Sequence, residues 1–146
     1  MFNAVNVKIK YHDDELEPIK ELENGDWFDL RAAEEVELKA GEFKLISLGV
    51  SMWLPDGFEA HVVPRSSTFK NFGVIQANGI GIIDNSYNGT YDIWKFPAIA
   101  LRNTVIHKND SICQFRIVEK QPKVEFREYA KLNNKNRGGF GSTGVN

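Results

Sequence analysis

Short apolar stretches in which every second residue is polar constrain this chain more than any other feature. Between Val5 and Tyr11, apolar residues alternate with Asn and Lys, a period of two that is typical of a half-buried β-strand. The stretch 43–54 is also strand-like and ends at the turn Pro55-Asp56-Gly57. Because helical periodicity is scarce, the pattern predicts an all-β fold, for which a sandwich, barrel or jelly roll is the natural architecture.

The same pattern places the individual elements. One short helix is expected from Ser66 to Phe72 with Ser66 as its N-cap, and Glu15 to Leu22 is a weaker helical candidate. The stretch 133–146 is polar and glycine-rich, which predicts a mobile C-terminal tail. Strands are expected at 5–11, 43–54, 58–63, 80–83, 90–96, 98–102, 112–118 and 123–127.

Composition narrows the class of protein. The 146 residues, 42% hydrophobic and 26% charged, fit one globular domain covering 1–146. The net charge of −2 gives no general attraction to nucleic acid or anionic lipid, so neither is expected as a partner. The single cysteine, Cys113, excludes an internal disulfide and fits a reducing compartment. Since no apolar run reaches membrane-spanning length, we expect a cytoplasmic protein.

A carboxylate at the end of an apolar strand is the first candidate for chemistry. Asp84 follows two isoleucines and precedes Tyr87 by three residues, with Gly79 and Gly89 on either side. Glycines allow a ligand or a second backbone to approach closely. A carboxylate in this place has a fixed position and an adjustable pKa, as a general base requires. Taken alone, however, Asp-Asn-Ser is good turn chemistry, and the segment favours an Asp that only opens a turn.

A second cluster offers donors for an anion. Pro64 ends a predicted strand, and Arg65, Ser66 and Ser67 follow it where a helix is expected to begin. Hydroxyls, free amides and a guanidinium together favour phosphate binding. An ordinary serine cap is the alternative, but it leaves Arg65 and Ser67 unused.

Two polar residues lie among apolar neighbours and need partners. Asp29 follows Phe28 and precedes Leu30, so we expect it to be partly buried; a turn-capping role and a functional role are equally open. Gln114 lies in the apolar run between Cys113 and Phe115, and a buried amide must find hydrogen-bond partners. Alone, each is weak evidence of a site.

The tail contains a fifth cluster, Arg137-Gly138-Gly139-Phe140-Gly141-Ser142-Thr143-Gly144. Its glycines free successive amides to point at an anion, and the hydroxyls and the guanidinium add donors. Glycine-rich tails are usually only flexible, but a large ring such as Phe140 is expected to have somewhere to bind. No lysine precedes Ser142, so the cluster is not a Walker A loop.

Taken in order, these five clusters resemble the five motifs of the trimeric dUTPases, from about Gly25 to Gly144. The most specific parts are Pro-Arg-Ser-Ser, then Gly-x-Ile-Asp-x-x-Tyr-x-Gly, then Gly-Phe-Gly-Ser-Thr-Gly. The likeness is nearest to dUTPases of Gram-positive bacteria and their phages. It implies a jelly-roll subunit in a homotrimer with shared active sites. It also implies Mg²⁺-assisted hydrolysis of dUTP to dUMP and pyrophosphate, which keeps uracil out of DNA and supplies dUMP for dTMP synthesis.

The resemblance also implies a role for each matching residue. Asp84 would be the general base, and Tyr87 would pack on the deoxyribose and exclude a 2′-hydroxyl. Asn78 would help hold uracil, whose edge the backbone around Gly81 and Ile83 would read. Phosphates would be held by Arg65, Ser66, Ser67 and Gln114, Asp29 would order waters around the metal, and a closing lid at 133–146 would use Arg137, Phe140, Gly141, Ser142 and Thr143.

The chain departs from the family pattern in the tail. The usual motif reads Arg-Gly-Ser-Gly-Gly-Phe-Gly, whereas here the stretch between Arg137 and Phe140 is two residues shorter. Two residues span about 7 Å when extended. Either Phe140 still stacks on uracil, which we favour, or an aromatic of the 91–96 segment, Trp94 first, covers the base.

Two other functions stay open. A dCTP deaminase shares the fold but works with a catalytic glutamate, so the Asp84–Tyr87 arrangement favours the hydrolase. Phage dUTPase-like proteins can also act as regulators by binding a repressor, which makes a repressor an expected partner if the chain is phage-encoded. The retained chemical residues argue only against regulation replacing catalysis.

Overall fold

A computed structural model describes residues 4–21, 25–133 and 135–139. Within these ranges the chain forms short strands and one helix of five residues, so the all-β prediction is confirmed. None of the helical structure in the described residues has the length and apolar character needed to cross a membrane. The elements are β1 Lys8–Tyr11, β2 Phe28–Arg31, β3 Val36–Leu38, β4 Phe43–Ser47, β5 Val50–Trp53, β6 Phe58–Pro64, α1 Thr68–Phe72, β7 Val74–Gln76, β8 Gly81–Ile83, β9 Lys95–Ala100, β10 Thr104–Ile106 and β11 Ser111–Glu119.

The strands form antiparallel sheets around one core. The largest described sheet has the order β2-β11-β6-β8, and a second has the order β4-β9-β7, while β1 pairs with β5 and β3 with β10. Strand β8, which leads to Asp84, lies at the edge of the largest sheet and pairs with β6, with Ile83 opposite Ala60. Strand β11 runs between β2 and β6, so Gln114 lies opposite Asp29 on one side and Val63 on the other.

The core is formed by the inward faces of these sheets. In β9, Phe96, Ala98 and Ala100 are buried, in alternation with less buried neighbours, as a strand with one apolar face requires. The indole of Trp94 packs edge-on against Phe115, with ring centroids 5.3 Å apart. Burying one large apolar side chain contributes about 1.5–3 kcal/mol. The contact between Trp94 and Phe115 therefore packs the start of β9 against the middle of β11.

The stretch 43–54 was expected to form one strand, and this is wrong. It forms β4 and β5, which are separated at Leu48 and Gly49. Gly49 has a positive φ of 67°, and a Cβ there would lie 2.7 Å from the Cβ of Ala33. The chain therefore bends where only glycine fits, and β5 leaves the sheet of β4 to pair with β1.

The expected strands at 90–96 and 98–102 are also wrong in their bounds. A turn joins Gly89 to Asp92, whose carboxylate accepts a hydrogen bond from the Gly89 amide at 2.9 Å. A single strand, β9, then runs through Pro97. Proline has no N–H to donate, but the Pro97 carbonyl still accepts a hydrogen bond from the Ala77 amide at 2.8 Å. The strand β9 therefore continues through Pro97.

The helix begins two residues later than expected, at Thr68, and its N-cap is Ser67 rather than Ser66. The Thr68 hydroxyl explains the shift. It accepts a hydrogen bond from the Arg65 amide at 2.8 Å and donates one to the Ile112 carbonyl at 2.9 Å. These bonds hold the residues before Thr68 in a turn anchored to β11.

Two other expected elements are absent from the described residues. In the described part of Glu15 to Leu22, the amides of Glu17 and Ile19 bind the side chains of Asn109 and Tyr11 instead of helical carbonyls. Leu22 lies outside the described residues. The stretch 123–127 forms no strand, and Phe126 is 95% exposed. Strands β2, β3, β7 and β10 were not predicted; each has only three or four residues, too few for alternation to be recognised.

Candidate active site

Asp84 lies directly after β8, where its carboxylate is held by the turn that follows. Its Oδ1 accepts hydrogen bonds from the Ser86 hydroxyl at 2.5 Å and from the Ser86 amide at 2.8 Å. These bonds, with the positive charge of Lys120, lower the pKa of Asp84 below its ordinary value. The Tyr87 amide donates to the Asp84 carbonyl at 3.2 Å, so Asp84 does open a turn. The turn therefore favours the ionised form of the carboxylate.

Tyr87 is fixed at the other end of the same turn. Its hydroxyl donates a hydrogen bond to the Ile93 carbonyl at 2.8 Å, while the side chain stays 40% exposed. Partial burial and the nearby charge of Asp92 raise the pKa of the phenol. The ring therefore presents a face to solvent without freedom to swing away, as a residue that packs on a ligand needs.

A cleft of about 390 Å³ brings together the residues expected to hold the nucleoside. The predicted residues on its wall are Asn78, Gly81, Ile83, Asp84 and Tyr87. At Gly81, a Cβ would lie 3.4 Å from the Val62 Cβ, so a methyl group there would be in ordinary contact with the cleft wall. This volume is within the range of small-molecule sites.

Sequence reasoning missed Gln76 as a wall residue and Ser86 as the partner of Asp84. Gln76 is buried and donates from Nε2 to the Val62 carbonyl at 3.1 Å. Its Oε1 and the Nε1 of Trp94 are the buried side-chain polar atoms without a hydrogen-bond partner in the described part of the chain, and both residues line the cleft. A polar residue in the apolar strand Val-Ile-Gln was the available signal for Gln76.

Trp94 belongs to the wall of the cleft. It is 1% exposed and packs edge-on against Phe115. To stack over a base from the open side, the indole would have to leave the core. This placement weakens the alternative in which Trp94 covers the base. The favoured residue, Phe140, lies outside the described residues, as do Gly141, Ser142 and Thr143.

A second cluster gathers three of the residues expected near phosphates and metal. The Arg65 Nε lies 3.2 Å from Asp29 Oδ1, and Gln114 donates from Nε2 to the Pro64 carbonyl at 3.2 Å. Asp29 and Gln114 are opposite each other in the pair β2–β11. The expectation that Asp29 is partly buried and partnered is confirmed, since its side chain is 25% exposed.

The remaining residues of this cluster lie in the turn before α1. Ser66 is exposed and Ser67 is half-buried, directly after Arg65. Arg65 also donates from Nη1 to the Ser111 carbonyl at 3.4 Å, which holds the guanidinium near β11. Arg65, Ser66, Ser67, Gln114 and Asp29 thus occupy neighbouring positions; none of the five is among the residues that line the cleft beside Asp84.

Cys113 is excluded as a nucleophile by its surroundings. It is fully buried, and burial raises the pKa of its thiol far above the ordinary range. The thiol is therefore a structural part of the core.

The subunit is all-β and has a carboxylate and an aromatic ring at one cleft. A separate cluster offers donors for an anion. This combination is typical of enzymes that hydrolyse nucleotides. The dUTPase family model matches residues 21–144 of the chain. The chain belongs to the dUTPase family, and it is a nucleotidohydrolase of that family.

Curated relatives agree with this assignment. The chain is 60% identical to the SPbeta prophage-derived deoxyuridine 5′-triphosphate nucleotidohydrolase YosS of Bacillus subtilis (strain 168), over 97% of this chain and 99% of that protein. It is 35% identical to the deoxyuridine 5′-triphosphate nucleotidohydrolase of Helicobacter pylori (strain Shi470), over 97% of this chain and 98% of that protein. The expected nearness to Gram-positive and phage members is confirmed.

Solved structures agree in fold. A Staphylococcus bacteriophage 80alpha dUTPase variant with dUpNHpp matches with a TM-score of 0.75 and 17% identity, over 96% of this chain and 99% of that chain. That structure belongs to a study in which phage dUTPases control the transfer of virulence genes by a proto-oncogenic G protein-like mechanism. A dUTPase variant from phage phi11 of S. aureus, described with a structural Mg(II) ion, matches with a TM-score of 0.74 and 15% identity, over 87% and 99%. The jelly-roll prediction is confirmed.

Proposed function

We propose that the chain hydrolyses dUTP to dUMP and pyrophosphate, with water attacking the α-phosphorus. The observation that carries this proposal is the pairing of Asp84 and Tyr87 on one cleft, each fixed by its own hydrogen bond. The names of the relatives support dUTP as the substrate. Asp84 is ionised at neutral pH, so it can take a proton from water.

The cleft residues have distinct roles in this proposal. Asp84 acts as the base and accepts a hydrogen bond from the 3′-hydroxyl. Tyr87 packs on the deoxyribose and leaves no room for a 2′-hydroxyl. Asn78 helps to hold uracil, and the backbone around Gly81 and Ile83 reads the edge of the base. The position of Gly81 and Ile83 on the wall of the cleft supports this, because glycine leaves the backbone open to a ligand.

The second cluster holds the triphosphate. Arg65 supplies a guanidinium that Asp29 already orients, and Ser66 and Ser67 supply hydroxyls. Gln114 supplies an amide that is tied to the end of β6. Donors fixed before the substrate arrives stabilise developing negative charge without reorganisation.

The residues also fit a magnesium ion held mainly by the substrate. Mg²⁺ keeps several waters in nucleotide sites and binds through one or two carboxylates and the phosphates. Asp29 is a single, partly buried carboxylate within the phosphate cluster, so it fits a role in ordering waters around the ion. When bound, Mg²⁺ would offset the charge of the triphosphate.

A homotrimer with shared active sites would unite the two clusters. Within one chain, the second cluster does not line the cleft that contains Asp84. The segment after β11 adds a second argument, because it leaves Val124, Phe126, Tyr129 and Leu132 exposed, Phe126 by 95%. Several large apolar side chains exposed along one segment support a contact with another chain.

The tail, 133–146, completes the proposed site as a lid within the single domain 1–146. Arg137, Phe140, Gly141, Ser142 and Thr143 would close over the nucleotide, with Phe140 on uracil. A lid that orders over bound substrate excludes bulk water and aligns the triphosphate. Of these residues, Arg137 is described and exposed.

In the cell, this reaction would keep uracil out of DNA and supply dUMP for dTMP synthesis in the cytoplasm. If the chain is phage-encoded, a repressor could be a further partner, in line with the regulatory description of the phage 80alpha dUTPase. Catalysis and regulation are compatible on this view, since the catalytic residues are all present.

Parallel assays test the reaction against its nearest alternative. We expect pyrophosphate release from dUTP and no ammonia release from dCTP. Ammonia release from dCTP without pyrophosphate release from dUTP would identify a deaminase instead. The mass in solution, measured by light scattering, should be about three times the 16.6 kDa of one chain.

A further inference from the structure

We propose that Asn85, together with Asp56 and Lys120, positions Asp84 for catalysis. We call these three residues the Asn85 clamp. The inference rests on the proposed role of Asp84 as the general base. It concerns positioning residues that do not touch the reacting atoms themselves.

The clamp joins three separate parts of the chain through one side chain. Asn85 donates from Nδ2 to Oδ1 of Asp56 at 2.5 Å, and Lys120 donates from Nζ to Oδ1 of Asn85 at 2.7 Å. Asp56 lies in the turn between β5 and β6, and Lys120 follows the end of β11. The Lys120 amide also donates to the Gly57 carbonyl at 2.9 Å, which ties these two anchors to each other.

Such an anchor is needed because Asp84 lies beyond the end of an edge strand. The described pairing of β8 is with β6, and it ends at Ile83. The bonds between Asp84 and Ser86 are internal to the turn, so they shape the turn without fixing it to the sheet. Tyr87 anchors the far side through the Ile93 carbonyl. The Asn85 clamp anchors the near side, directly beside the carboxylate.

The chemistry of the clamp requires a carboxamide. One side of Asn85 donates to a carboxylate, and the other side accepts from an ammonium group. A carboxylate at this position would keep the bond to Lys120 but would face Asp56 with like charge. An alanine would lose both bonds. The asymmetry gives a specific test, because the donor and the acceptor can be exchanged between positions 56 and 85.

The test measures kcat and KM for dUTP in three variants. Asn85→Ala and Asn85→Asp should each lower kcat about tenfold and leave KM within about twofold, since small displacements of a catalytic group slow chemistry strongly. Adding Asp56→Asn to Asn85→Asp restores a donor opposite an acceptor and should recover most of the lost kcat. Because the exchange restores the bond between positions 56 and 85, recovery of kcat at constant KM attributes the loss to that bond.

A second readout uses Lys120, whose charge also helps to keep Asp84 ionised. The described charged groups around the turn and its cleft are Lys120, Asp56, Lys95 and, near Tyr87, Asp92. Lys120→Ala should move the acidic limb of the kcat/KM profile to higher pH. Lys20→Ala is the matched control, because the Lys20 side chain is 69% exposed and its described ion pair is with Glu17 at 3.9 Å. The control should leave the limb unchanged.

The outcomes separate the clamp from the proposed function. Wild-type protein and Asp84→Asn are measured in the same assay. If wild-type protein releases no pyrophosphate from dUTP, the proposed function fails. If wild-type protein is active and Asp84→Asn is inactive, but both Asn85 variants keep full kcat, the clamp is overturned. A double variant that folds and stays as slow as Asn85→Asp overturns it equally.

Discussion

The Nε of Arg65 lies 3.2 Å from Oδ1 of Asp29, and this ion pair joins two segments of the chain that sequence alone keeps far apart. Both side chains are partly buried, at 33% and 25% exposure. The carboxylate holds the guanidinium at the end of β6, and Ser66 and Ser67 follow Arg65 along the chain. Arg65 therefore has a fixed orientation in the protein without a ligand.

Arg65→Gln should lower kcat/KM for dUTP about 100-fold, because a guanidinium fixed on a phosphate forms charge-assisted hydrogen bonds that glutamine cannot replace. The affinity for dUMP, which lacks the leaving phosphates, should fall much less. Arg102→Gln is the matched control, since Arg102 is exposed and its described side-chain hydrogen bond is to the Lys70 carbonyl, at 2.9 Å. Equal losses for dUTP and dUMP would contradict a role on the leaving phosphates.

Ser86→Ala should raise the pKa of Asp84, because the Ser86 hydroxyl is the largest of the contributions that lower it. A base must be ionised to act, so activity is lost as pH falls through its pKa. The acidic limb of the kcat/KM profile should therefore move to higher pH, while the rate at pH 8 changes little. A limb that stays in place, or moves to lower pH, would show that another group controls it.

Tyr87→Ala should relax discrimination against ribonucleotides. In the proposed site the Tyr87 ring packs where a 2′-hydroxyl would lie, and its hydroxyl is anchored on the Ile93 carbonyl. The ratio of kcat/KM for dUTP to that for UTP should fall at least about tenfold, by steric relief worth about 1.4 kcal/mol. Tyr87→Phe keeps the ring and should retain most of the ratio. If both variants discriminate as well as wild-type protein, the ring is not the gate.

Truncation after Lys135 should leave a folded trimer that hydrolyses dUTP much more slowly. Residues 136–146 carry the donors and the aromatic ring of the proposed lid, and none of the described ones belongs to the buried core. The thermal midpoint at fixed protein concentration should change little, whereas kcat falls about 100-fold. Unchanged kcat would remove the lid from the mechanism.

The sequence located the cleft better than it located the elements around it. Two isoleucines before Asp84 predicted a carboxylate at a strand end, and β8 ends at Ile83. The break at Gly49 was not visible, because it depends on the close approach of Ala33, a residue distant in sequence. The local pattern of the sequence indicates which residues are apolar. It does not indicate which distant segments of the chain those residues contact.

Hydrogen bonds and ion pairs between distant segments of the chain were also not predictable from the sequence. The need of Asp29 and Gln114 for partners followed from their apolar neighbours, but the pairing of Asp29 with Arg65 depends on the order β2-β11-β6. The bonds of Asn85 to Asp56 and Lys120 depend on the start of β6 and the ends of β8 and β11 meeting at one end of that sheet. Strand order is set by packing of the whole core, so such contacts had no local signal.

The most direct test of the account is Asp84→Asn, assayed for pyrophosphate release from dUTP, dTTP, dCTP and UTP beside wild-type protein. Wild-type protein should prefer dUTP strongly. The variant should lose at least about 10³-fold in kcat, within the range expected for removal of a general base. It should keep the mass of the trimer and bind dUTP with little change, because asparagine preserves the shape of the side chain. Near-normal turnover of dUTP by Asp84→Asn would contradict the mechanism.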